Sequence, residues 1–163
     1  MEQVSNDTSE LGCSIFDRWG ALKSDFVRGP KKGTGVWGQE LDYGRILLIE
    51  TLLVHENHRR EGYGKKLFDL MWAQAQKRAF NCAYASMWAT VINDRNEIFN
   101  DGPFPNSESE KIYEEKLNVL EAFWRALGFR RIGTSQYFCY ARHNSHPSRL
   151  LASEQDYQRP AVL

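Results

Sequence analysis

The stretch from Arg45 to Val54, RILLIETLLV, is near-continuously apolar and contains β-branched side chains. The loop HENHRREGYG joins it to a segment from Gly64 to Phe80 whose apolar residues recur at helical spacing. An apolar run bounded by turn residues predicts a central strand covered on both faces. In the segment that follows, Leu67, Phe68, Met71, Trp72, Ala75 and Ala79 share one stripe while Gln74, Lys77 and Arg78 fall elsewhere. That pattern predicts an amphipathic helix packed on a sheet. The apolar run is interrupted by Glu50 and falls far short of the ~18 residues a membrane span needs.

The rest of the chain supplies alternating elements. Ile15, Phe16, Trp19, Leu22 and Phe26 predict a helix from Leu11 to Val27, ended by the basic loop RGPKKGTG. VWGQEL predicts a short strand before a turn at Asp42-Tyr43-Gly44, CAYASMWATVI a further strand, and NDRNEIFNDGPFPNS a loop. Ser107 and Glu110 have the spacing of a capping box. The helix they open carries Tyr113, Leu117, Leu120, Trp124 and Leu127, with Gly128 as its terminating C′ residue. FRRIGTSQYFCYA predicts a returning strand. The order helix, strand, strand, helix, strand, helix, strand implies an α/β sandwich around one sheet. The 163 residues suit a single domain, 1–163, with 1–10 and 142–163 as polar surface tails. Trp19, Trp37, Trp72 and Trp88 each lie on a strand or a helix stripe and are expected in the core. Glu108, Glu110, Glu114 and Glu115 are expected to form a solvated helix start, favoured there by the helix dipole.

The 21 basic and 21 acidic residues cancel, which argues against holding nucleic acid or an anionic membrane by bulk electrostatics. The start of the chain, MEQVSNDTSE, has neither the basic nor the apolar region of a secretory signal. Cys13, Cys82 and Cys139 form no CxxC pair and read as reduced thiols, two of them buried in strands. These observations predict a cytoplasmic location, with a nuclear one left open. His55 and His58 are three apart in a loop, not four apart on a helix, so no metal site is expected.

Chemistry concentrates at the junction Arg59-Arg60-Glu61-Gly62-Tyr63-Gly64-Lys65, where the apolar run gives way to the helix. Glycines at 62 and 64 permit a tight turn and close approach of a ligand to the backbone. The first N–H groups of a helix have no internal partner and carry the positive end of the dipole. With Arg59, Arg60 and Lys65 adding full charges, the arrangement is a phosphate cradle. A lysine in the first turn opposes the dipole, a conflict that an anion resolves. A glycine turn with a solvated basic face is the alternative. Neither the Walker A spacing nor the third glycine of a dinucleotide fingerprint is present.

LLVHENHRREGYGKKLFDLM resembles the acyl-CoA-binding motif of the GNAT N-acetyltransferase superfamily, and LEAFWRALGFRRIG resembles that family's second signature. The two stand in the family's order with one strand between them. The resemblance covers roughly Arg45 to Ala141. It implies a GNAT-like α/β fold: a mixed, mostly antiparallel sheet with flanking helices and a splayed central strand pair. About 44 residues precede the central strand, fewer than the family usually has, so the resemblance implies a shortened N-terminal part.

The resemblance also implies acetyl-CoA as co-substrate and an amine acceptor, either a small molecule or a protein, with no nucleic-acid or membrane partner. Main-chain groups of Leu52, Leu53 and Val54 would pair with the pantetheine arm. The pyrophosphate would lie on the amides of Arg59, Arg60, Glu61, Gly62, Tyr63 and Gly64, with Lys65 as a further contact. Glu50 is the candidate base, since some polyamine-acetylating members carry an acid there. A salt bridge to a basic neighbour is its structural alternative. Where many members place a tyrosine that protonates the leaving sulfur, this chain has Trp124, which can donate a hydrogen bond but not a proton. Trp124 is therefore expected as a wall beside the CoA arm, with Tyr137, Tyr140 or water left open as proton source. The predicted activity is acetyl-CoA-dependent N-acetylation of a primary amine. The alternative is a non-catalytic acyl-CoA-binding or interaction module. A homodimer through an edge strand is compatible with either.

Overall fold

The computed structural model describes residues 6–77, 81–91 and 107–160. Helices α1 (Asn6–Ile15) and α2 (Ser24–Val27) precede strand β1 (Ile46–Ile49) and helix α3 (Tyr63–Lys77). Strand β2 (Tyr84–Trp88) and helix α4 (Ser107–Leu127) follow. The chain continues through β3 (Arg130–Arg131), β4 (Tyr137–Ala141) and the one-turn helix α5 (Pro147–Leu150). The strands form one sheet in the order β1-β2-β4-β3. β1 runs parallel to β2, with α3 as the crossover that a parallel pair requires. The other two pairings are antiparallel. This is the mixed, mostly antiparallel α/β architecture expected from the sequence.

Side chains alternate across the strands and sort the core into two layers. Leu48, Trp88, Tyr137, Cys139 and Ala141 face one side, where they meet Leu11, Ile15, Phe26, Trp37 and Leu41. Ile49, Ala85, Met87 and Phe138 face the other, against Phe68 of α3 and Leu117 and Trp124 of α4.

Several elements differ from the sequence expectation. The helix predicted over Leu11–Val27 is broken at Asp17. The Asp17 carboxylate accepts from the Trp19 and Ala21 amides, Gly20 takes φ +79°, and Phe16 bridges to Leu22. An aspartate that bonds the backbone ahead of it offers the chain a turn in place of the helical ladder. Trp19 consequently sits at the turn, 79% exposed under the Arg18 guanidinium, and not in the core.

VWGQEL forms no strand; Gln39–Asp42 is a 3-10 turn. Trp37 just before it and Leu41 within it are buried, and the indole N–H of Trp37 donates to the Arg130 carbonyl. The apolar run from Arg45 is a strand only to Ile49, and it forms an edge of the sheet, not its centre. The predicted returning strand is a hairpin. It turns through Gly133 (φ +55°), and the Ile132 amide bonds the Tyr137 carbonyl across it. Of the acidic residues at the start of α4, Glu114 is half-buried and paired with Arg159, while Glu108, Glu110 and Glu115 are exposed. The predicted loop 93–106, Ala79 and the side chain of Ser107 lie outside the described residues.

Gly128 ends α4 as predicted. Its φ of +100° lets its amide reach the Arg125 carbonyl while the Phe129 amide reaches that of Trp124. This is the paired 5→2 and 6→1 pattern of a Schellman cap. The turn delivers Arg130 and Arg131 directly into β3.

The segment after Arg142 is anchored in the core through Ser148 and Asp156. Asp156 accepts from Arg125 Nε at 2.9 Å and from the Arg131 amide. Glu121 meets Arg125, Arg131 and Arg159. Burial pushes the Glu121 carboxyl up, but the hydrogen bonds and charges of Arg131 and Arg159 outweigh it and hold the group below its ordinary range.

All three cysteines are free. Cys13 is exposed and Cys82 and Cys139 are buried; Cys82 precedes β2 and does not lie in it. Burial also pushes the Cys139 thiol up, so it is a packing residue and not a nucleophile.

Candidate functional site

The loop from His55 to Gly62 is exposed throughout. Arg59 reaches back across it, donating from Nε to the Val54 carbonyl at 3.1 Å. Arg60 takes φ +67°, a left-handed conformation that costs a non-glycine residue ~1–2 kcal/mol. Gly62 follows at φ +80°, and its carbonyl accepts the first helical bond, from the Lys66 amide. No described atom lies within 4 Å of where a Cβ on Gly62 would stand. The turn that opens α3 is therefore uncrowded at a residue whose backbone conformation glycine suits.

The second glycine has a different role. A Cβ on Gly64 would come within 2.9 Å of the Phe123 ring of α4. Gly64 serves helix–helix packing, not approach of a ligand. Lys65 is ion-paired with Asp69 one turn along α3, and the Lys66 ammonium lies 5.0 Å from the Tyr63 ring centre. The cationic residues within the turn itself are Arg59 and Arg60, while Glu61 faces His58 at 3.8 Å. His55 and His58 have ring centres 6.3 Å apart, and the His55 Nδ1 accepts from the Asn57 amide. No group of three or more His, Cys, Asp or Glu side chains suited to a metal occurs among the described residues.

The β1–β2 ladder ends at Ile49 opposite Met87, and Glu50 to Val54 lie outside any strand. Leu52 packs against the layer under α3 and α4, whereas Leu53 is 53% exposed. Beyond the ladder, the main-chain groups of this segment have no strand partner and lead into the α3 turn. Those groups, the open Gly62 turn and the two arginines fit a ligand with an amide-bearing arm and a pyrophosphate.

Glu50 is exposed, whereas a central strand covered on both faces would have buried it. It lines a cleft of about 170 Å³ together with Thr51, Trp88, Thr90 and Tyr137. Trp124 is 2% exposed, packed edge-on against Phe123 and Phe129. It belongs to the core under the sheet and presents no open wall. The structure brings Glu50, Leu53 and the Arg59–Gly62 turn to the end of β1 and the start of α3, and leaves Trp124 and the Lys65 ammonium out.

Tyr137 was open in the sequence only as a proton source. Its place in the cleft follows from strand register, because it pairs with Trp88 at the end of the β2–β4 ladder.

Residues 33–101 match the acetyltransferase (GNAT) family model. The matched span is under half of the chain; it includes β1, the turn and α3 but ends before the Leu-Gly-Phe signature of α4. No curated protein and no solved structure matches the chain significantly.

Proposed function

On a chain that this match supports as a GNAT superfamily member, we propose an acetyl-CoA-dependent N-acetyltransferase that moves an acetyl group to a primary amine by direct attack. The family uses acetyl-CoA as co-substrate, and the turn at Gly62 carries the reading. It combines positive φ and empty space at the Cβ position with a helix start, whose first amides have no partner within the helix, and two arginines in the same turn.

In this reading the amides from Arg59 to Gly64 bind the pyrophosphate, and Arg59 and Arg60 neutralise it. The arm runs along Leu52, Leu53 and Val54. Bound there, acetyl-CoA supplies a thioester carbonyl for attack. Glu50 receives a proton from the ammonium, directly or through one water, so that the free amine can react. The nitrogen–carbon bond forms as the carbon–sulfur bond breaks, and the second amine proton passes through water to the departing sulfur. Trp124 takes no part, because an indole is not an acid and this one is enclosed.

That enclosure is also the observation favouring a second reading, a module that binds acyl-CoA without turnover. Calorimetry with CoA and an assay of acetyl-CoA consumption over a panel of amines, with Glu50→Gln as control, separate the two. Binding with turnover that Glu50→Gln reduces supports the enzyme. Binding without turnover supports the module, and no binding removes both.

A further inference from the structure

In the core layer opposite α3 and α4, one titratable side chain docks the C-terminal segment on Trp37. His146 is the N-cap of α5, and its Nδ1 accepts from the Ser148 amide at 3.2 Å. Pro147 at the first helical position has no N–H, so Ser148 carries the first amide that the cap must serve. Ser148 is fully buried, and its hydroxyl also lies 2.8 Å from Nδ1. On the other side of the ring, Nε2 stands 3.4 Å from Glu40 of the 3-10 turn. The ring stacks on the buried Trp37 indole at 4.7 Å and meets the Tyr84 ring of β2 edge-on at 6.1 Å.

One protonation state fits both sides. With its proton on Nε2, neutral His146 donates toward Glu40 and leaves Nδ1 to accept from Ser148. A second proton, on Nδ1, makes that atom a donor. The Ser148 hydroxyl can accept from it, but the Ser148 amide loses its cap. Two neighbours favour the imidazolium: the Glu40 carboxylate and the face of Trp37. Burial, joined by the charge of His143, outweighs the charge and hydrogen bond of Glu40, and holds His146 below the ordinary histidine range. Tyr84 and Cys139, which also lie in the field of Glu40, are raised by burial and stay neutral.

We propose that His146 is a proton-sensitive latch: neutral, it caps α5 and holds residues 143–151 against Trp37 and Glu40, and protonated, it releases them. The latch is independent of the acetyltransferase reading. Because the docked ring binds its proton more weakly than a free one, docking is complete above the ordinary histidine value. It weakens as pH falls through that value and stops weakening below the docked one. Release is local, since Asp156 keeps its own hold on Arg125 and on the Arg131 amide.

The test follows the whole chain by heteronuclear NMR and amide exchange between pH 5 and 8. His146 should titrate below the ordinary histidine range, and the indole N–H resonance of Trp37 should move with the same midpoint. After correction for the intrinsic rate, the Ser148, Arg149 and Leu151 amides should exchange about fivefold faster at pH 5 than at pH 8, the weight of one helix cap. The Arg131 amide, held by Asp156, should not share the change. His146→Asn keeps a side chain that caps without taking a proton, and should flatten the pH dependence. His143→Gln should retain it. If His146→Asn fails to fold, Glu40→Gln replaces it: without the carboxylate, the His146 midpoint should fall further.

His146 titrating at or above the ordinary histidine value overturns the latch. So does an equal acceleration at the Arg131 amide, which marks a loosening of the whole fold. A pH dependence that survives His146→Asn, or vanishes in His143→Gln, overturns it as well, as does a His146 midpoint that Glu40→Gln leaves in place.

Discussion

Phe123 of α4 lies over Gly64 of α3 so closely that a Cβ at position 64 would stand 2.9 Å from its ring tip. The two helices share one layer of the core, against the sheet face that carries Phe138 and Met87, and the contact fixes how near α3 can sit to α4. Alanine is the better helix former by ~1 kcal/mol, yet overpacking costs ~1–3 kcal/mol. Gly64→Ala is therefore expected to be neutral or mildly destabilising, and Gly64→Val to lower stability by ~2 kcal/mol. Urea unfolding of each, alone and with Phe123→Leu, checks this. The double variant should recover most of the loss if Phe123 is the obstacle.

Gly62 makes the opposite demand, on conformation and not on space. With φ at +80° and no described atom near its Cβ position, aspartate can occupy it at a strain cost of ~1 kcal/mol, because short polar side chains visit this region. Gly62→Asp is expected to keep the far-UV spectrum and shift the melting temperature by only a few degrees. Its negative charge would stand where a phosphate is bound, so CoA binding should be lost in calorimetry. Unchanged affinity in this variant would sink the cradle.

Much of this was legible in the sequence, where local pattern and final environment agree. The stripe on α3, the glycine that ends α4 and the alternation along β2 are set by neighbours a few residues away. The apolar run at Arg45 misled because its meaning depends on what lies beside it. A buried central strand and an edge strand leaning on two helical layers read alike, and the same error buried Glu50. Asp17 broke a helix whose apolar period continued through it, since one carboxylate on two amides outweighs a weak propensity. The cleft at Tyr137 depends on the β2–β4 register, and the buried Arg125 of α4 on an aspartate more than thirty residues away. Neither is written in any local window.

Asp156 illustrates that second case. Its buried carboxylate holds Arg125 Nε and the Arg131 amide, tying the C-terminal segment to α4 and β3. Removing one partner of a buried pair strands the other charge and costs ~3–5 kcal/mol. Asp156→Ala should therefore lower the melting temperature by roughly 10 °C, at ~2–4 °C per kcal/mol for a chain of this size. Asp156→Asn should lose less, as its amide oxygen can still accept from the Arg131 backbone. Differential scanning calorimetry of the two variants tests the order.

Glu121 carries the same cluster's dependence on pH. Burial raises its carboxyl, and the hydrogen bonds and charges of Arg131 and Arg159 overcome this, so the folded group ionises below its ordinary range. A folded pKa below the unfolded one means that the carboxylate contributes its full stabilisation above the unfolded pKa. That contribution fades as pH falls through the lower, folded value. Stability of the wild type should thus drop between the ordinary glutamate range and more acid pH. Glu121→Gln should be less stable near neutrality by ~3 kcal/mol, since Arg125, Arg131 and Arg159 lose their shared anion. It should also show a flatter decline over that acid window. Urea midpoints measured at pH 3, 4, 5 and 7 decide it: parallel curves for the two proteins would show that the acid loss arises from other carboxylates.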